Sequence, residues 1–363
     1  MTDNMEDVFN GTFTTYDVML FKWQDYGLPE RSASFYAYQI ISNIISVLGT
    51  LGYALFVYIL LTDKTGAFNN YFYKLALSLA VPDVMTLVLH YGYLTITAFF
   101  GEGSLGFWVV YWVGFVHDVC FWSVVGHMLA ICFNRFAAVV WPTDHDRFYV
   151  GYRVGLWILA CYALGFGIPI TMWTCSCYYH VPSGWGWEFS CGDYNHTCAA
   201  YAMKLNEIFC FATVIILSAV QFFIFSRARI LTRKTTVCSV SDTANQDRIK
   251  KERSMAIQFI MISILLGIHV VFFWVVTPLV QQKVISPSLG MVILHICLIL
   301  NSAVNPFMYL FLASNGRKVL FVLVSKKITK LNSYLTQYKW ATEMSSRFAS
   351  HQPPPSKHMP SVA

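Results

Sequence analysis

The chain has 363 residues, of which 56% are hydrophobic and only 12% are charged. Soluble domains carry about 25% charged residues, so this composition excludes an ordinary soluble protein and predicts a membrane protein. The formal net charge is +6, but the basic residues lie in short segments between apolar runs, which argues against a nucleic-acid-binding protein.

The first 34 residues precede any apolar run of membrane length. They begin MTDNMEDVFN, which is acidic and lacks both the basic and the apolar part of a cleavable signal peptide. We therefore predict that residues 1–34 form an extracellular tail and that the first apolar run directs membrane insertion. A tail of this length is too short for a separate ligand-binding domain.

Seven apolar runs follow, each near or above the roughly 20 residues that cross a bilayer as a helix. The predicted spans are Phe35–Leu61, Phe72–Thr97, Phe107–Val140, Val154–Met172, Ile208–Phe225, Met255–Val280 and Leu289–Leu312. The sequence thus predicts an all-α membrane protein whose seven-helix bundle occupies residues 35–312.

Lysine and arginine fall mainly in alternate connections between these runs. One side carries Lys64, Arg135, Arg147, Arg153, Arg227, Arg229, Arg233, Lys234, Arg248, Lys250, Lys251, Arg253, Arg317, Lys318, Lys326, Lys327 and Lys330. The other side carries only Lys22, Arg31, Lys204 and Lys283. Because basic connections remain in the cytoplasm, the N-terminus is predicted outside and the C-terminus inside.

Two Asn-X-Thr sequons, at Asn10 and Asn195, fall on the predicted outer side of the membrane. Glycosylation of this motif takes place on lumenal or extracellular segments. Both asparagines are therefore predicted glycosylation sites, and both are consistent with the predicted orientation.

The outer segment CSCYYHVPSGWGWEFSCGDYNHTC contains a cluster of four cysteines, Cys175, Cys177, Cys191 and Cys198. A zinc site is the competing interpretation, but the oxidising outer compartment favours disulfides. We expect a bond from Cys177 to either Cys191 or Cys198. Such a bond closes a loop and stabilises it by about 3 kcal/mol.

The residues after the seventh run predict an amphipathic eighth helix. The sequence GRKVLFVLVSKK combines apolar and cationic residues, a composition typical of a helix lying along the inner leaflet, here over residues 313–327. Residues 328–363 end in SHQPPPSKHMPSVA and are predicted to form a cytoplasmic tail.

The seventh run ends in NSAVNPFMYLFL, which is unexpected for a helix surrounded by lipid. Asn301, Ser302 and Asn305 are polar groups that cost a few kcal/mol each in hydrocarbon, and Pro306 removes a backbone donor. The second run contains LSLAVPD, which ends in the acid Asp83. An ionisable group at this depth suggests a functional site, although polar residues also hold neighbouring membrane helices together.

The third run ends in CFNRFAAVVWP, residues 132–142. Together with NPFMY in the seventh run and Asp83 in the second, this segment resembles the rhodopsin-like G-protein-coupled receptors. In that family the third helix ends in an acid-Arg-aromatic triplet and the seventh carries Asn-Pro-x-x-Tyr. The triplet beginning at Asn134, the following Trp-Pro pair and the pattern of cysteines and aromatics in the outer loop are most similar to the nematode serpentine chemoreceptors of class X.

This resemblance implies roles for two groups of residues. Arg135 is expected to contact a heterotrimeric G-protein, with Asn134 in place of the acid that usually restrains the arginine; a plain interfacial anchor is the alternative for Arg135. The expected activation switch consists of Asp83, Asn301, Ser302, Asn305, Pro306 and Tyr309. The resemblance also makes Asp83 a candidate sodium site, and no other metal is expected.

The chain departs from the family pattern at two positions that bear on these roles. Val110 stands where the third helix usually carries a cysteine, so the loop cysteines are expected to pair among themselves. Tyr53 stands where the first helix usually carries an asparagine.

Candidate ligand-binding residues begin with His117 and Asp118, which lie about five helical turns before Arg135. The resemblance places His117 where amine receptors carry their acid. A cavity histidine paired with Asp118 is the alternative to a ligand-binding pair. The other candidate pocket residues are Tyr111, Phe121, Trp274 and His295, although aromatic residues in a bundle can serve for packing alone.

The sequence therefore predicts a chemosensory G-protein-coupled receptor for an external small molecule or peptide, with a heterotrimeric G-protein as partner and no cofactor. We expect a multi-pass protein of the plasma membrane, with the sensory cilium as a candidate location, and no enzymatic activity. The alternatives are a secondary transporter, for which symmetric halves with broken helices are not found, and an intramembrane hydrolase, for which the expected motifs are not found.

Overall fold

The structure is a computed structural model. It describes residues 32–62, 70–101, 105–141, 144–175, 177–180, 188–191, 197–237, 261–272 and 284–312, together with residues 275, 276, 279, 282 and 334. The N-terminal tail up to residue 31, the predicted amphipathic segment 313–327 and both sequons lie outside the described residues. The same holds for the predicted cytoplasmic tail, apart from residue 334.

Seven main helices follow one another along the described chain. They are α1 Ala33–Thr62, α2 Tyr71–Phe100, α3 Phe107–Val140, α4 Arg153–Thr174, α5 Thr197–Val237, α6 Met261–Phe272 and α7 Pro287–Phe307. Within α2, the segment His90–Leu94 is π-helical, and α7 continues as a π-helical turn over Met308–Leu312. A short helix, His145–Tyr149, lies in the connection between α3 and α4.

Six of these helices are long and apolar enough to cross a membrane. In the sixth predicted span, Met255–Val280, the structure describes the shorter apolar helix α6. The fifth span is longer than predicted, because α5 begins at Thr197 instead of Ile208. The added turns, TCAAYAMKLNE, form helix readily but are too polar to be recognised by hydropathy.

Local sequence signals account for where two helices begin. The side chain of Asn70 accepts a hydrogen bond from the Tyr73 backbone N–H at 3.2 Å and caps α2. Ser286 caps α7 in the same way, accepting from the Leu289 N–H at 3.3 Å, and Pro287 follows it at a position where a helix needs no backbone donor.

The described chain is helical, as predicted, apart from a two-stranded hairpin between α4 and α5. Strand β1, Cys177–His180, pairs antiparallel with β2, Glu188–Cys191. The end of the bundle at which α4 ends and this hairpin lies is called here the hairpin end, and the opposite end is called the Arg135 end. Helix α3 runs through the bundle from one to the other, packing against α2, α4 and α5.

Small residues allow two pairs of helices to approach closely. A Cβ atom on Gly49 of α1 would lie 2.7 Å from the Cβ of Ala303 in α7. A Cβ on Gly165 of α4 would overlap Ser123 of α3, and one on Gly126 of α3 would lie 3.0 Å from the backbone of Cys161 in α4. Close contact through small residues is the usual basis of helix association in membranes.

The bundle differs from a soluble protein in its apolar outer surface, and it encloses several polar side chains in a largely hydrophobic core. Large apolar side chains point outward, with Leu51 60% exposed and Phe222 75% exposed, whereas Asp83, His127 and Asn305 are fully buried. In water this arrangement would be strongly unfavourable; in lipid it places the polar groups where other helices can satisfy them.

Candidate functional site

A buried carboxylate joins three helices near the centre of the bundle. The hydroxyl of Tyr53 in α1 donates a hydrogen bond to Asp83 Oδ2 in α2. The Asn305 Nδ2 of α7 donates to the same oxygen at 2.8 Å. The structure thus brings together two residues predicted for the switch, and it adds Tyr53, which the sequence marked only as a departure from the family pattern.

The same centre contains buried oxygen atoms that can accept further bonds. Within the described part of the chain, Asp83 Oδ1, Asn301 Oδ1 and Asn305 Oδ1 have no hydrogen-bond donor, and Ser302 lies beside the Asp83 carboxyl. Hard oxygen ligands of this kind suit a small cation such as sodium, and equally suit bound water. The residues present therefore fit the sodium site that the family resemblance suggests.

From this centre, α7 leads to the Arg135 end. One residue after Asn305 comes Pro306, and the chain then forms the π-helical turn that contains Tyr309. The buried ring of Tyr309 lies 5.2 Å from that of Phe56 and 5.7 Å from that of Phe72, measured between centroids. The Arg135 guanidinium lies over the Phe72 ring, 3.9 Å from its centroid, which is a cation–π geometry.

The connection between α3 and α4 contacts the residue that precedes this arginine. The Asn134 amide nitrogen lies 3.1 Å from His145 Nε2, and the hydroxyl of Tyr149 lies beside the Asn134 side chain. Burial raises the pKa of the Tyr149 hydroxyl above its ordinary value, so this group remains protonated and can donate. Asn134 therefore ties α3 to the short helix of the connection.

Four histidines converge between the carboxylate centre and the hairpin end. The ring of His90 lies 5.8 Å from that of His117 and 6.1 Å from that of His295, between centroids. His269 of α6 interacts electrostatically with His295 and hydrogen-bonds the backbone of Leu294 in α7. We call these four residues the histidine cluster. Two of its members, His117 and His295, were predicted as pocket residues, whereas His90 and His269 were missed.

The remaining predicted pocket residues are divided between this cluster and other places. Phe121 lies 5.8 Å from His269, between ring centroids, and so belongs beside the cluster. Tyr111 instead contacts Trp173 of α4 at 6.1 Å. Asp118 points away from His117, as consecutive helical residues must, and acts electrostatically on Cys210 of α5.

Trp274, the last of the predicted pocket residues, lies outside the described residues.

A second polar group, which the sequence analysis did not identify, joins α2, α3 and α4. His127 Nδ1 donates to the Ser123 carbonyl at 2.7 Å, so its Nε2 accepts from the Ser78 hydroxyl at 2.8 Å. Tyr162 of α4 donates to the Ser78 carbonyl at 3.0 Å. The polar groups of these residues are thus hydrogen-bonded to one another within the core, which indicates a structural role. A histidine inside an apolar span was the signal that could have revealed it.

Disulfides hold the hairpin, and the observed bond of Cys198 excludes one of the two predicted alternatives for Cys177. Cys175 is bonded to Cys198, joining the end of α4 to the start of α5. The predicted alternative Cys177–Cys198 is therefore wrong, and Cys175 was missing from the predicted set. Cys177 is also disulfide-bonded, and its Cα lies directly opposite that of Cys191 in the β-ladder.

These features, with apolar helices of membrane length around a buried acid-asparagine centre and a proline near the end of the last helix, define a multi-pass membrane protein of the G-protein-coupled-receptor type. Residues 44–308 match the family described as serpentine type 7TM GPCR chemoreceptor Srx. The chain belongs to this family, which confirms the resemblance to the class X serpentine chemoreceptors. No curated protein matches the chain by sequence.

Proposed function

We propose that the protein binds an external ligand inside its helical bundle and thereby activates a heterotrimeric G-protein. One observation carries this proposal: α7 connects the buried acid to the arginine. Its Asn305 is hydrogen-bonded to Asp83, and its Tyr309, about one turn further on, packs against the Phe72 ring over which Arg135 lies. A change in the position of α7 therefore alters the surroundings of the arginine at the Arg135 end.

The ligand is proposed to act on α7 through the histidine cluster. His295 and Asn305 are ten residues apart on this helix, which corresponds to about 15 Å along its axis. A ligand that binds better to one position of His295 selects the matching position of Asn305 and Tyr309. The π-helical turn after Pro306 supports this role, because such turns allow a helix end to adopt alternative packings.

The proposed orientation places the hairpin end outside the cell and the Arg135 end in the cytoplasm. The positive-inside distribution of lysine and arginine supports this orientation, and so does the disulfide in the hairpin, since disulfides form in oxidising compartments. The plasma membrane, including that of a sensory cilium, is the proposed location.

The test is ligand-evoked signalling in cells that express the full chain with a G-protein reporter. A library of odorants and peptides is screened on the wild-type protein, and active compounds are retested on Arg135→Ala at equal surface expression. We expect Arg135→Ala to retain ligand binding but to lose the response.

Flux of the same compounds in the same cells distinguishes the rival function. Uptake of a library compound by these cells, with no compound evoking a G-protein response, would identify a transporter instead and would contradict the proposal.

A further inference from the structure

Four different helices each contribute one histidine to the histidine cluster. His90 comes from α2, His117 from α3, His269 from α6 and His295 from α7, and all four side chains are buried. The electrostatic effects acting on His117 come from the other three. Packing alone does not require such a set, because neighbouring imidazoles gain little from one another in an apolar interior.

One nitrogen of His90 is already oriented by the protein. Its Nδ1 lies 2.8 Å from the Thr86 carbonyl oxygen and must donate to it, which leaves Nε2 as the acceptor nitrogen of the neutral ring. This ring sits on the first residue of the π-helical turn in α2, a type of irregularity that is frequent at functional sites. The Thr86 bond therefore fixes the orientation of a ring that lies 5.8 Å from His117 and 6.1 Å from His295, between centroids.

The acids of the described spans are engaged elsewhere. Asp83 receives hydrogen bonds from Tyr53 and Asn305, Asp118 faces Cys210, and Glu207 forms an ion pair with Lys204 at 2.6 Å. The cluster is thus a buried site rich in proton acceptors, to which no described acid contributes. Its imidazoles are neutral, because an uncompensated charge at this depth costs several kcal/mol.

We infer that the histidine cluster binds a small organic acid, which enters with its own proton. The carboxylic acid transfers the proton of its O–H group to an imidazole nitrogen, and the products are a carboxylate and an imidazolium that remain paired in the site. Each charge then compensates the other, whereas either ion alone would be an uncompensated charge inside the bundle. The inference rests on the proposed function, since the acid is the ligand of that receptor site.

Two other ligand classes fit the site less well. An amine would arrive as a cation, and none of the acids in the described spans lies in the cluster to receive it, since Asp118 on α3 faces α5. A metal ion is disfavoured by geometry, since no three histidine, cysteine or acidic side chains in the described ranges are arranged to hold one. Both classes are nevertheless included as outcomes of the test.

The experiment measures the thermal stability of the purified full-length protein with a matched series of probes. Straight-chain carboxylic acids of four to eight carbons are compared with the amides, alcohols and amines of the same chain length. We expect stabilisation by the acids alone. The concentration of total acid needed for half the effect should rise about tenfold per pH unit above the acid's own pKa of about 4 to 5, because one proton enters with each anion.

Variants locate the effect within the cluster. His90→Asn keeps a donor for the Thr86 carbonyl but removes the Nε2 position, and His117→Gln removes a second ring. Each is expected to weaken acid binding at least tenfold, whereas His145→Gln at the Arg135 end serves as the histidine control and should bind acids as the wild type does. The probe series on the wild-type protein decides the matter even if a variant fails to fold.

Several outcomes would overturn the inference. These are equal stabilisation by amides or amines, undiminished acid binding in folded cluster variants, no stabilisation by any acid, or stabilisation by Zn²⁺ in place of the acids. Failure of the proposed function has a different signature: acids would bind as expected, but the reporter cells would give no G-protein response. Conversely, a reporter response to amines or neutral compounds alone would support the proposed receptor function and contradict the inference that the ligand is an organic acid.

Discussion

Tyr53 donates its phenolic hydrogen bond to the carboxylate of Asp83 and so joins α1 to α2 in the interior of the bundle. The same carboxylate oxygen accepts from Asn305 of α7. Tyr53, which stands where the family usually has an asparagine, therefore hydrogen-bonds Asp83, which matches the buried acid of the family. Two consecutive helices, α1 and α2, and the last helix, α7, thus share one oxygen atom as a common hydrogen-bond acceptor.

Tyr53→Phe tests the first of these bonds. The change leaves a buried carboxylate with one donor fewer and should lower the stability of the purified protein by about 1 to 3 kcal/mol. Tyr309→Phe is the matched control, since the Tyr309 hydroxyl has no hydrogen-bond partner among the described residues and its loss should cost little. Thermal unfolding of both variants in detergent measures the difference. Equal melting temperatures for the two would contradict the expected bond.

Asp83→Asn and Asn305→Ala should each alter G-protein activation at normal surface expression. Because the two side chains are directly bonded, the double variant should depart from additivity by about 0.5 to 3 kcal/mol, converted from the change in the activation equilibrium. Asp83→Asn combined with Cys297→Ser provides a control pair that should be additive. If the effects in the Asp83–Asn305 pair were also additive, the pair would serve for packing and not as part of an activation switch.

Asn134→Asp should lower ligand-independent signalling. A carboxylate beside Arg135 favours the restrained arginine by roughly 1 kcal/mol, which corresponds to about a fivefold change in population. Basal reporter activity at equal surface expression measures the effect, and Asn134→Leu, which adds no charge, should not lower it. A basal signal that is unchanged or raised in the aspartate variant would argue against the idea that Arg135 lacks a restraining acid in the wild-type protein.

Loss of the disulfide at the hairpin should lower surface expression. Cys175→Ser and Cys198→Ser should have effects of similar size, and the double variant should be no worse than either, because one bond is removed in all three. Cys297→Ser removes a free thiol and should leave expression unchanged. Flow cytometry of an N-terminal tag on intact cells gives the comparison, and additive losses would show that the two cysteines act independently.

Gly165→Ala should destabilise the protein by about 1 to 3 kcal/mol, since its methyl group would overlap Ser123 of α3. Ser123→Gly should restore part of that loss by removing the obstructing side chain. Gly167→Ala, two residues further along α4, is the control: nothing lies within 4 Å of its added methyl, and alanine favours the helix. If both alanine variants melted together, the proposed close approach of α3 and α4 would be wrong.

Hydropathy predicted the helices well, because a bilayer requires long apolar runs and the chain supplies them in order. It missed the start of α5, whose first turns are polar. The motif around Asn305 placed that residue beside Asp83, but no sequence pattern indicated Tyr53, since a tyrosine in an apolar helix serves equally for packing. The meeting of His90 with His295 depends on how four helices are rotated, a property that single-sequence periodicity does not encode.

The cysteine pairing illustrates the same limit. All four cysteines were recognised as a group, but their partners depend on the register of the hairpin and on where α5 begins. Cys198 lies on the first turn of α5, next to the end of α4, and this position was not recognised because the helix was predicted to start eleven residues later. Compartment and composition predict that disulfides form; three-dimensional position decides between which residues.

The Cys175–Cys198 bond has a consequence for how this part of the protein can vary. It holds the two Cα atoms 5.3 Å apart, so the 22 intervening residues form a closed ring whose ends do not move. Lengthening such a ring costs little, about 0.6 kcal/mol per doubling. Insertions, deletions and substitutions within it can therefore accumulate without shifting α4 or α5. The hairpin is thus the segment in which we expect evolution to diversify the approach to the bundle while preserving the helices beneath it.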